Sequence, residues 1–397
     1  MIERHAGGIV SPRADGVYAA AHTAGPPVYD AIMRRTGTAD LPLHGGRAPA
    51  WLFQRMAKLT RALVLVMRED VEPAELLRRL SDPHWFQAFG CLLGFDWHSS
   101  GVTTTVCGAL KQGLRGLEEE VGLFVAGGKG ATSRKTPGEI AGVGDTLGRD
   151  MSALVYASRM AAKVDSAGLQ DGYELYHHAF VFTPGGEWTV IQQGMNAATR
   201  YARRYHWLGE TVGDFVSDPH AAIVAPRREA NVLNLVAGEG DAHRSAITTL
   251  VRDERPETIV AELQRAPTLA LPARHHIEPR QDIAFGRLSK ILLETYERRP
   301  AHFEALLGQP GVGAKTLRAL SLAAEVMYGV PASVRDPAVY AYAHGGKDGH
   351  PYPVDRATYD RTIAYLESAV RRSKLGDPER LAALRRLHVS TPAARLS

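Results

Sequence analysis

The sequence predicts an α+β protein with more than one domain, in which a mixed α/β N-terminal domain is followed by an all-α C-terminal domain. Three observations support this fold class. Helical periodicity begins at Pro49, the stretches Tyr173–Phe182 and Glu187–Gln193 alternate like the strands of a β-hairpin, and the region after residue 283 is almost wholly helical. A chain of 397 residues is also longer than a single hydrophobic core usually serves.

The first predicted helix follows a lead-in, residues 1–40, that is rich in Gly, Pro and Thr. A second helical stretch, Ala74–Leu93, is interrupted at Asp82-Pro83, because proline disfavours the helical conformation in the residue before it. In the first helix apolar side chains recur on one face, as in an amphipathic helix: Leu52, Met56, Leu59, Leu63 and Met67.

The middle of the chain combines strands with helices. A short apolar strand, Gly122–Ala126, runs into Gly127-Gly128-Lys129-Gly130. The segment Thr136-Pro137-Gly138-Glu139 predicts a helix start that is capped by the Thr136 hydroxyl and the Glu139 carboxylate. The turn TPGG between the two alternating stretches predicts the β-hairpin, and Thr199–His206 is predicted to be helical and basic.

These elements predict four regions along the chain. Residues 1–40 form the lead-in, residues 41–236 form the mixed α/β domain in which we expect catalysis, and residues 237–282 form a linker region. Residues 283–397 form a helical domain with a helix-hairpin-helix element. The linker prediction depends on weak periodicity and on the segment PTLALPARHHIEP.

Composition is typical of a soluble globular protein, with 45% hydrophobic and 23% charged residues. The two cysteines, Cys91 and Cys107, form no CxxC pair, which excludes zinc ribbons and disulfide frameworks. No apolar run approaches the roughly 18 residues that span a bilayer, and the N-terminus lacks the apolar core of a signal peptide. We therefore expect a cytoplasmic protein without a membrane partner.

Positive charge is concentrated in the C-terminal third. Arg280–Ser397 contains 18 Lys and Arg against 12 Asp and Glu, a net charge of +6, whereas the rest of the chain carries −2. Because Lys and Arg supply most phosphate contacts, this distribution favours a polyanionic partner.

The most specific motif is Pro310-Gly311-Val312-Gly313, which two helical segments flank. Its glycines allow tight backbone geometry, so main-chain N–H groups can converge on a phosphate at the start of the second helix. Lys315 would add a positive charge there. Over residues 286–330 the motif resembles the helix-hairpin-helix modules of repair nucleases, junction-binding proteins and DNA glycosylases. The predicted contact is with the DNA backbone and is insensitive to base sequence.

The residues expected to contact DNA belong to this turn and to the helix after it, with two further basic residues in the mixed α/β region. They are Gly311, Val312, Gly313, Lys315, Thr316 and Arg318, together with Lys129 and Arg203.

Five segments of the chain together resemble one known family. They are LPLHGGRAPAWLF, DWHSSGVTTTVCGALKQG, GGKGATSRKTP, KVDSAGLQDGYELYHHAFVF and WTVIQQGMN. The family is called domain of unknown function 763 and occurs in archaea and bacteria. The resemblance covers nearly the whole chain and implies no particular activity, so the polar residues are judged by their chemistry.

The first functional hypothesis is a repair-type nuclease whose active site lies in the mixed α/β domain. Carboxylate and imidazole groups are suitable ligands for divalent ions such as Mg²⁺ or Mn²⁺ that activate water against a phosphodiester. The proposed metal ligands are Asp96, His98 and Asp171. The residues of this domain that we predict to be catalytic are Asp96, His98, Asp165, Asp171, His178, Gln192 and Gln193.

Two alternatives stay open. A DNA glycosylase or lyase would use Lys315 as the nucleophile and Asp355, in PYPVDRATYD, as the assisting acid, because these positions resemble the catalytic pair of glycosylases that carry this hairpin. Such a Lys must be partly desolvated to attack at neutral pH. The other alternative is a non-catalytic DNA-binding scaffold, which would explain the hairpin and the basic C-terminal third without any chemistry.

Overall fold

A computed structural model describes residues 41–43, 48–95, 99–266, 282–338, 340–341 and 356–390. All of them belong to one compact unit. The lead-in, the PTLALPARHHIEP segment and three catalytic candidates, Asp96, His98 and Asp355, lie outside the described residues.

The centre of the fold is a six-stranded sheet in the order β1-β3-β4-β5-β6-β8. Neighbouring strands are antiparallel except for β6 and β8, which pair in parallel. A separate antiparallel pair joins β2 to β7. The strands are β1 Phe124–Lys129, β2 Leu169–Gln170, β3 Glu174–Phe182, β4 Trp188–Asn196, β5 Tyr201–Leu208, β6 Ala222–Ala225, β7 Leu233–Asn234 and β8 Tyr340–Ala341.

Helices precede, interrupt and follow the strands. Those before β3 are α1 Ala50–Asp70, α2 Pro73–Ser81, α3 Pro83–Leu92, α4 Gly101–Leu114, α5 Glu118–Val121, α6 Thr136–Leu147 and α7 Ser152–Lys163. Those that the described residues form after β7 are α8 Asp241–Asp253, α9 Pro256–Arg265, α10 Phe285–Arg298, α11 Phe303–Leu307, α12 Ala314–Tyr328, α13 Arg356–Arg372 and α14 Asp377–Ser390.

Each face of the sheet contributes to its own hydrophobic core, because successive side chains of a strand point to opposite faces. On one face Ala179 and Val181 pack with α1–α4, α13 and α14. On the other face Phe180 and Phe182 pack with α6–α12. The result is a mixed α+β fold of three layers, with the sheet between two layers of helices.

Several predicted elements are confirmed. The amphipathic helix is α1, and the β-hairpin is β3–β4, with Phe182 opposite Trp188 at the turn. The helical stretch before residue 93 breaks where predicted, because the Asp82 carboxylate accepts hydrogen bonds from the backbone N–H groups of His84 and Trp85 and starts α3.

Two local predictions are wrong. The Thr136 hydroxyl donates to the carbonyl of Ser133 and does not cap α6, while the Glu139 carboxylate accepts from the Gly127 N–H at 2.7 Å and links the helix to β1. The segment Thr199–His206 is not helical. Most of it belongs to β5, which lies between β4 and β6, so hydrogen bonds to two strands override its helical pattern.

The segment predicted as a linker, residues 237–282, contains α8 and α9. Ile247 on α8 and Ile259 on α9 are buried in the same core as the helices α10–α12. The described part of the C-terminal region is mainly helical as predicted, and it also contains the two-residue strand β8. The four-part domain division itself stays a prediction. In the described part of the chain, no helix has the length and apolar character required to cross a membrane.

Candidate nucleic-acid interface

The glycine-rich turn joins α11 to α12. Gly311 has φ +81°, in the left-handed region, and a Cβ there would come within 3.2 Å of Cγ1 of Ile291. Val312 is fully buried beneath the turn. Gly313 has φ −127° and ψ −173°, an extended conformation open to other residues, and a Cβ there would meet nothing within 4 Å. Only Gly311 therefore requires glycine for conformational reasons.

The N-terminal end of α12 is left open to a ligand. Its N-cap residue, Gly313, has no side chain to accept from the helix, and the first backbone bond within the helix runs from the Leu317 N–H to the Gly313 carbonyl at 2.9 Å. The N–H groups of Ala314, Lys315 and Thr316 precede that bond and lack partners in the helical ladder. Their partial positive charge favours an anion at this end.

A cleft of about 390 Å³ separates this turn from α10. Arg287 and Lys315 are exposed and bring two positive charges to it, and Asp282 brings one negative charge. The remaining lining is mostly apolar or backbone: Ile283, Ala284, Leu288, Ile291, Gly311, Gly313, Ala314, Thr316 and Ala319.

Side chains from residues 163–170 hold the turn in place. The Lys163 ammonium donates to the Val312 carbonyl at 2.6 Å, and the Gln170 amide donates to the Ala314 carbonyl at 3.1 Å. Arg318, on α12, donates in turn to Oε1 of Gln170 at 2.9 Å. Burial lowers the pKa of the Lys163 ammonium. Sequence reasoning missed Lys163 and Gln170, because no local pattern connects them to a turn about 145 residues away.

The predicted DNA contact of Arg318 does not fit its position. The residue is 4% exposed, and its guanidinium bonds to Gln170 inside the protein. Lys315 is exposed at the cleft, whereas Thr316 is buried and its hydroxyl donates to the Gly311 carbonyl at 3.2 Å. Of the three predicted contacts on α12, the structure therefore leaves Lys315 at the surface.

Asp171 and Arg203, predicted as a metal ligand and a DNA contact, form a buried ion pair. The Arg203 guanidinium donates to Asp171 at 2.8 Å and to Asp336 at 2.7 Å, and all three side chains are at most 2% exposed. The other oxygen of Asp171 accepts from the Tyr173 N–H at 3.1 Å, while the Tyr205 hydroxyl donates at 2.8 Å to the oxygen that Arg203 contacts. Burial raises the pKa of Asp171, which Arg203 opposes. These groups are committed to each other and leave no ligand position for a metal.

Asp165, His178 and Gln192, three catalytic candidates, do come together. The Gln192 amide donates to Asp165 at 2.5 Å, and its carbonyl lies 2.8 Å from Nδ1 of His178. The opposite ring nitrogen of His178 lies 2.9 Å from the Ser158 hydroxyl. Burial lowers the pKa of His178, so the ring is neutral at pH 7, donates from Nδ1 and accepts at Nε2.

The hydrogen-bond network of Asp165, Gln192 and His178 is closed to a ligand. Asp165 also accepts from the Trp207 indole at 2.9 Å and bonds the His220 ring, so both carboxylate oxygens are used. Asp165, His178 and Gln192 are at most 5% exposed. A fully satisfied and buried network of this kind stabilises one packing arrangement and is not placed to meet a substrate.

Gln193 and Lys129 lie next to Tyr176, and they are not part of the hydrogen-bond network of Asp165. The Gln193 amide donates to the Tyr176 hydroxyl and to the Ser100 carbonyl, and the Lys129 ammonium lies 5.7 Å from the centroid of the Tyr176 ring. Tyr176 was not among the predicted site residues. It is the extra residue of a β-bulge, which shifts it out of the alternating pattern.

The family profile described as "Protein of unknown function (DUF763)" matches residues 37–354, which include the whole sheet and the turn before α12. The chain belongs to the DUF763 family. Neither the curated proteins nor the solved structures gave a match.

The DUF763 match therefore contains both the cleft and the buried networks, while α13 and α14 follow it. In the part of the chain that the structure describes, no group of three or more His, Cys, Asp or Glu side chains could hold a metal ion. Both cysteines are buried, and they form no disulfide.

Proposed function

We propose that the protein binds DNA by gripping a backbone phosphate between the turn 308–313 and the first residues of α12, as a helix-hairpin-helix element does. One observation carries the proposal. The positive φ of Gly311 reverses the chain so that the uncapped N-terminal amides of α12 face a cleft that also receives the side chains of Arg287 and Lys315.

The physical reason is the combination of directed donors with net positive charge. Free N–H groups and the helix dipole favour an anion, and two exposed cations against one carboxylate, Asp282, add to that preference. A phosphate is recognised in this way without any contact to base edges, so we expect binding that is strong at low salt and nearly independent of sequence.

Attachment of the turn to residues 163–170 supports the same proposal. A loop that is already held in its binding geometry loses less entropy when a ligand orders it. Lys163 and Gln170 provide this hold through the carbonyls of Val312 and Ala314, which turn their oxygens toward the protein. The N–H groups of the helix start are thereby left for the ligand.

Phosphodiester hydrolysis stays our proposal for the chemistry that accompanies binding. The described residues do not fit a divalent ion, because the oxygens of Asp165 and Asp171 are used by protein donors. We therefore derive no metal-dependent step. The lyase alternative gains no support from Lys315, since an exposed ammonium lacks the desolvation that a nucleophilic amine requires.

The proposal is tested by fluorescence anisotropy with two labelled duplexes of equal length and unrelated sequence, between 50 and 200 mM KCl. We expect similar affinities for the two duplexes and a steep loss of affinity with salt. Lys315→Gln should weaken binding several-fold and reduce the salt dependence by about one ion. Lys163→Met should also weaken binding, because it releases the turn.

Lys58→Gln serves as the matched control. It removes the same charge from an exposed position on α1, which packs on the other face of the sheet. If Lys315→Gln and Lys58→Gln bind DNA equally well, the cleft is not the DNA-binding surface.

A further inference from the structure

A second polar cluster lies where β3 begins, on the sheet face that packs against α4. Between Leu175 and His177 the pairing with β4 shifts by one residue, so Tyr176 and His177 together oppose Gln193. His177 is also paired with Lys129 across β1. The bulge thus gathers a phenol, an imidazole and an ammonium group beside one another.

A chain of hydrogen bonds runs through the buried residues beneath Tyr176 in one direction. The Arg204 guanidinium donates to the Thr103 hydroxyl at 3.5 Å, and that hydroxyl donates to the Gln193 carbonyl. The Gln193 amide then donates to the Tyr176 oxygen. Because each bond polarises the next, a chain that starts at a buried cation makes the last hydroxyl a better donor.

The hydroxyl of Tyr176 ends this chain of hydrogen bonds and can donate its own proton to a ligand. Its oxygen accepts from the Gln193 amide. Burial raises the pKa of the phenol, which hydrogen bonding with Gln193 and Ser100 opposes, so the hydroxyl keeps its proton at neutral pH. Tyr176 is only partly buried and Lys129 is exposed, so this end of the cluster is open to solvent.

His177 provides an independent sign that a ligand belongs here. It is 1% exposed, and neither ring nitrogen has a hydrogen-bond partner. A buried polar group without a partner is costly and is normally satisfied by a water or a ligand. Burial and the charge of Lys129 lower the pKa of His177 to about 3, so the ring is neutral and offers one N–H donor.

We propose that Lys129, Tyr176 and His177 form a binding site for a phosphate group. Phosphate oxygens would accept from the Tyr176 hydroxyl and the His177 ring, and the Lys129 ammonium would supply the charge. The Glu139 carboxylate, which accepts from the Gly127 N–H of β1, is already paired with the Lys111 ammonium at 2.6 Å. The site lies on the opposite face of the sheet from α12 and does not depend on the proposed DNA binding there.

The test is calorimetric titration of the full chain with inorganic phosphate at low ionic strength. We expect binding in the millimolar range that weakens about threefold to tenfold in Tyr176→Phe, which loses one hydrogen bond and keeps the ring. Lys129→Gln should weaken binding at least as much. The control is Lys135→Gln, which removes an exposed charge six residues further along the chain.

A second measurement follows the imidazole itself. The chain has 16 histidines, and His177→Gln assigns the ring ¹⁵N signal of His177. This signal should shift on phosphate addition in the wild type, and the shift should require about threefold to tenfold more phosphate in Tyr176→Phe. Absence of phosphate binding by the wild type, or equal binding by Lys129→Gln, Tyr176→Phe and Lys135→Gln, would overturn the proposal.

Competition identifies the source of the phosphate group. Displacement by a deoxynucleoside monophosphate but not by an oligonucleotide assigns the site to a small phosphate ester. Displacement by the oligonucleotide assigns it to a nucleic-acid backbone. Lys315→Gln, which changes the α12 cleft, should bind inorganic phosphate at the Tyr176 site normally in either case. The proposal for this site and the proposal for the α12 cleft can therefore be refuted separately.

Discussion

Gly313→Asp should raise the stability of the fold while it weakens DNA binding. Gly313 is the N-cap of α12, its conformation suits any residue, and a Cβ there meets nothing within 4 Å. An Asp at this position can accept from the N–H of Lys315 or Thr316, as N-cap carboxylates do. It would then occupy the donors that we assign to phosphate and would add a negative charge beside them.

The two effects can be estimated separately. Asp is better than Gly at an N-cap by a few tenths of a kcal/mol, and a carboxylate at a helix N-terminus contributes about 0.3–1 kcal/mol more. The free energy of unfolding should therefore rise by about 0.5–1 kcal/mol. A carboxylate about 4 Å from a phosphate costs about 1 kcal/mol in water and about 4 kcal/mol at an effective dielectric constant of 20. We expect DNA affinity to fall at least about fivefold at low salt.

The assay combines urea unfolding with DNA anisotropy on the same preparations. Gly142→Asp is the matched control, because Gly142 is exposed on α6 and a Cβ there also meets nothing within 4 Å. It makes the same change in net charge away from the cleft. If Gly313→Asp and Gly142→Asp bind DNA with equal affinity, the N-terminal amides of α12 do not hold a phosphate. A loss of affinity together with a loss of stability would also refute the reasoning.

Three other perturbations test the buried networks and the chemistry. Arg203→Met leaves two buried carboxylates without their partner and should destabilise the fold by about 3–5 kcal/mol in urea unfolding, whereas Arg227→Met, in an exposed pair, should change little. Since the folded pKa of His177 is about 3 and the unfolded value is 6.5, stability should fall as the pH drops below 6.5, by about 1.4 kcal/mol per unit from this group. His177→Gln should make that slope shallower, and an unchanged slope would contradict the burial argument. For the nuclease proposal, undamaged DNA should be incised, and EDTA tests whether that incision needs a metal ion; incision that persists in EDTA, requires a damaged base and gives borohydride trapping lost in Lys315→Gln would establish the lyase alternative.

Local physics was sufficient for several of the regular elements, although not for β5. Apolar periodicity predicted α1, the proline after Asp82 predicted the break before α3, and alternation on both sides of TPGG predicted the β3–β4 hairpin. The glycine turn before α12 could also be predicted from the sequence, because a positive φ such as that of Gly311 is a local requirement. In each case the signal lies within about 20 neighbouring residues of the chain.

Tertiary structure alone decided which polar residues are available to contact a ligand. Arg203 resembles a DNA contact in sequence, but Asp336, 133 positions further along, pairs with it inside the core. Lys163 carries no motif and yet holds the turn at Val312. The physical reason is that a charged side chain is assigned to surface or interior by partners that folding brings from distant positions. Burial and pairing are properties of that arrangement, whereas helix and strand patterns are properties of the chain.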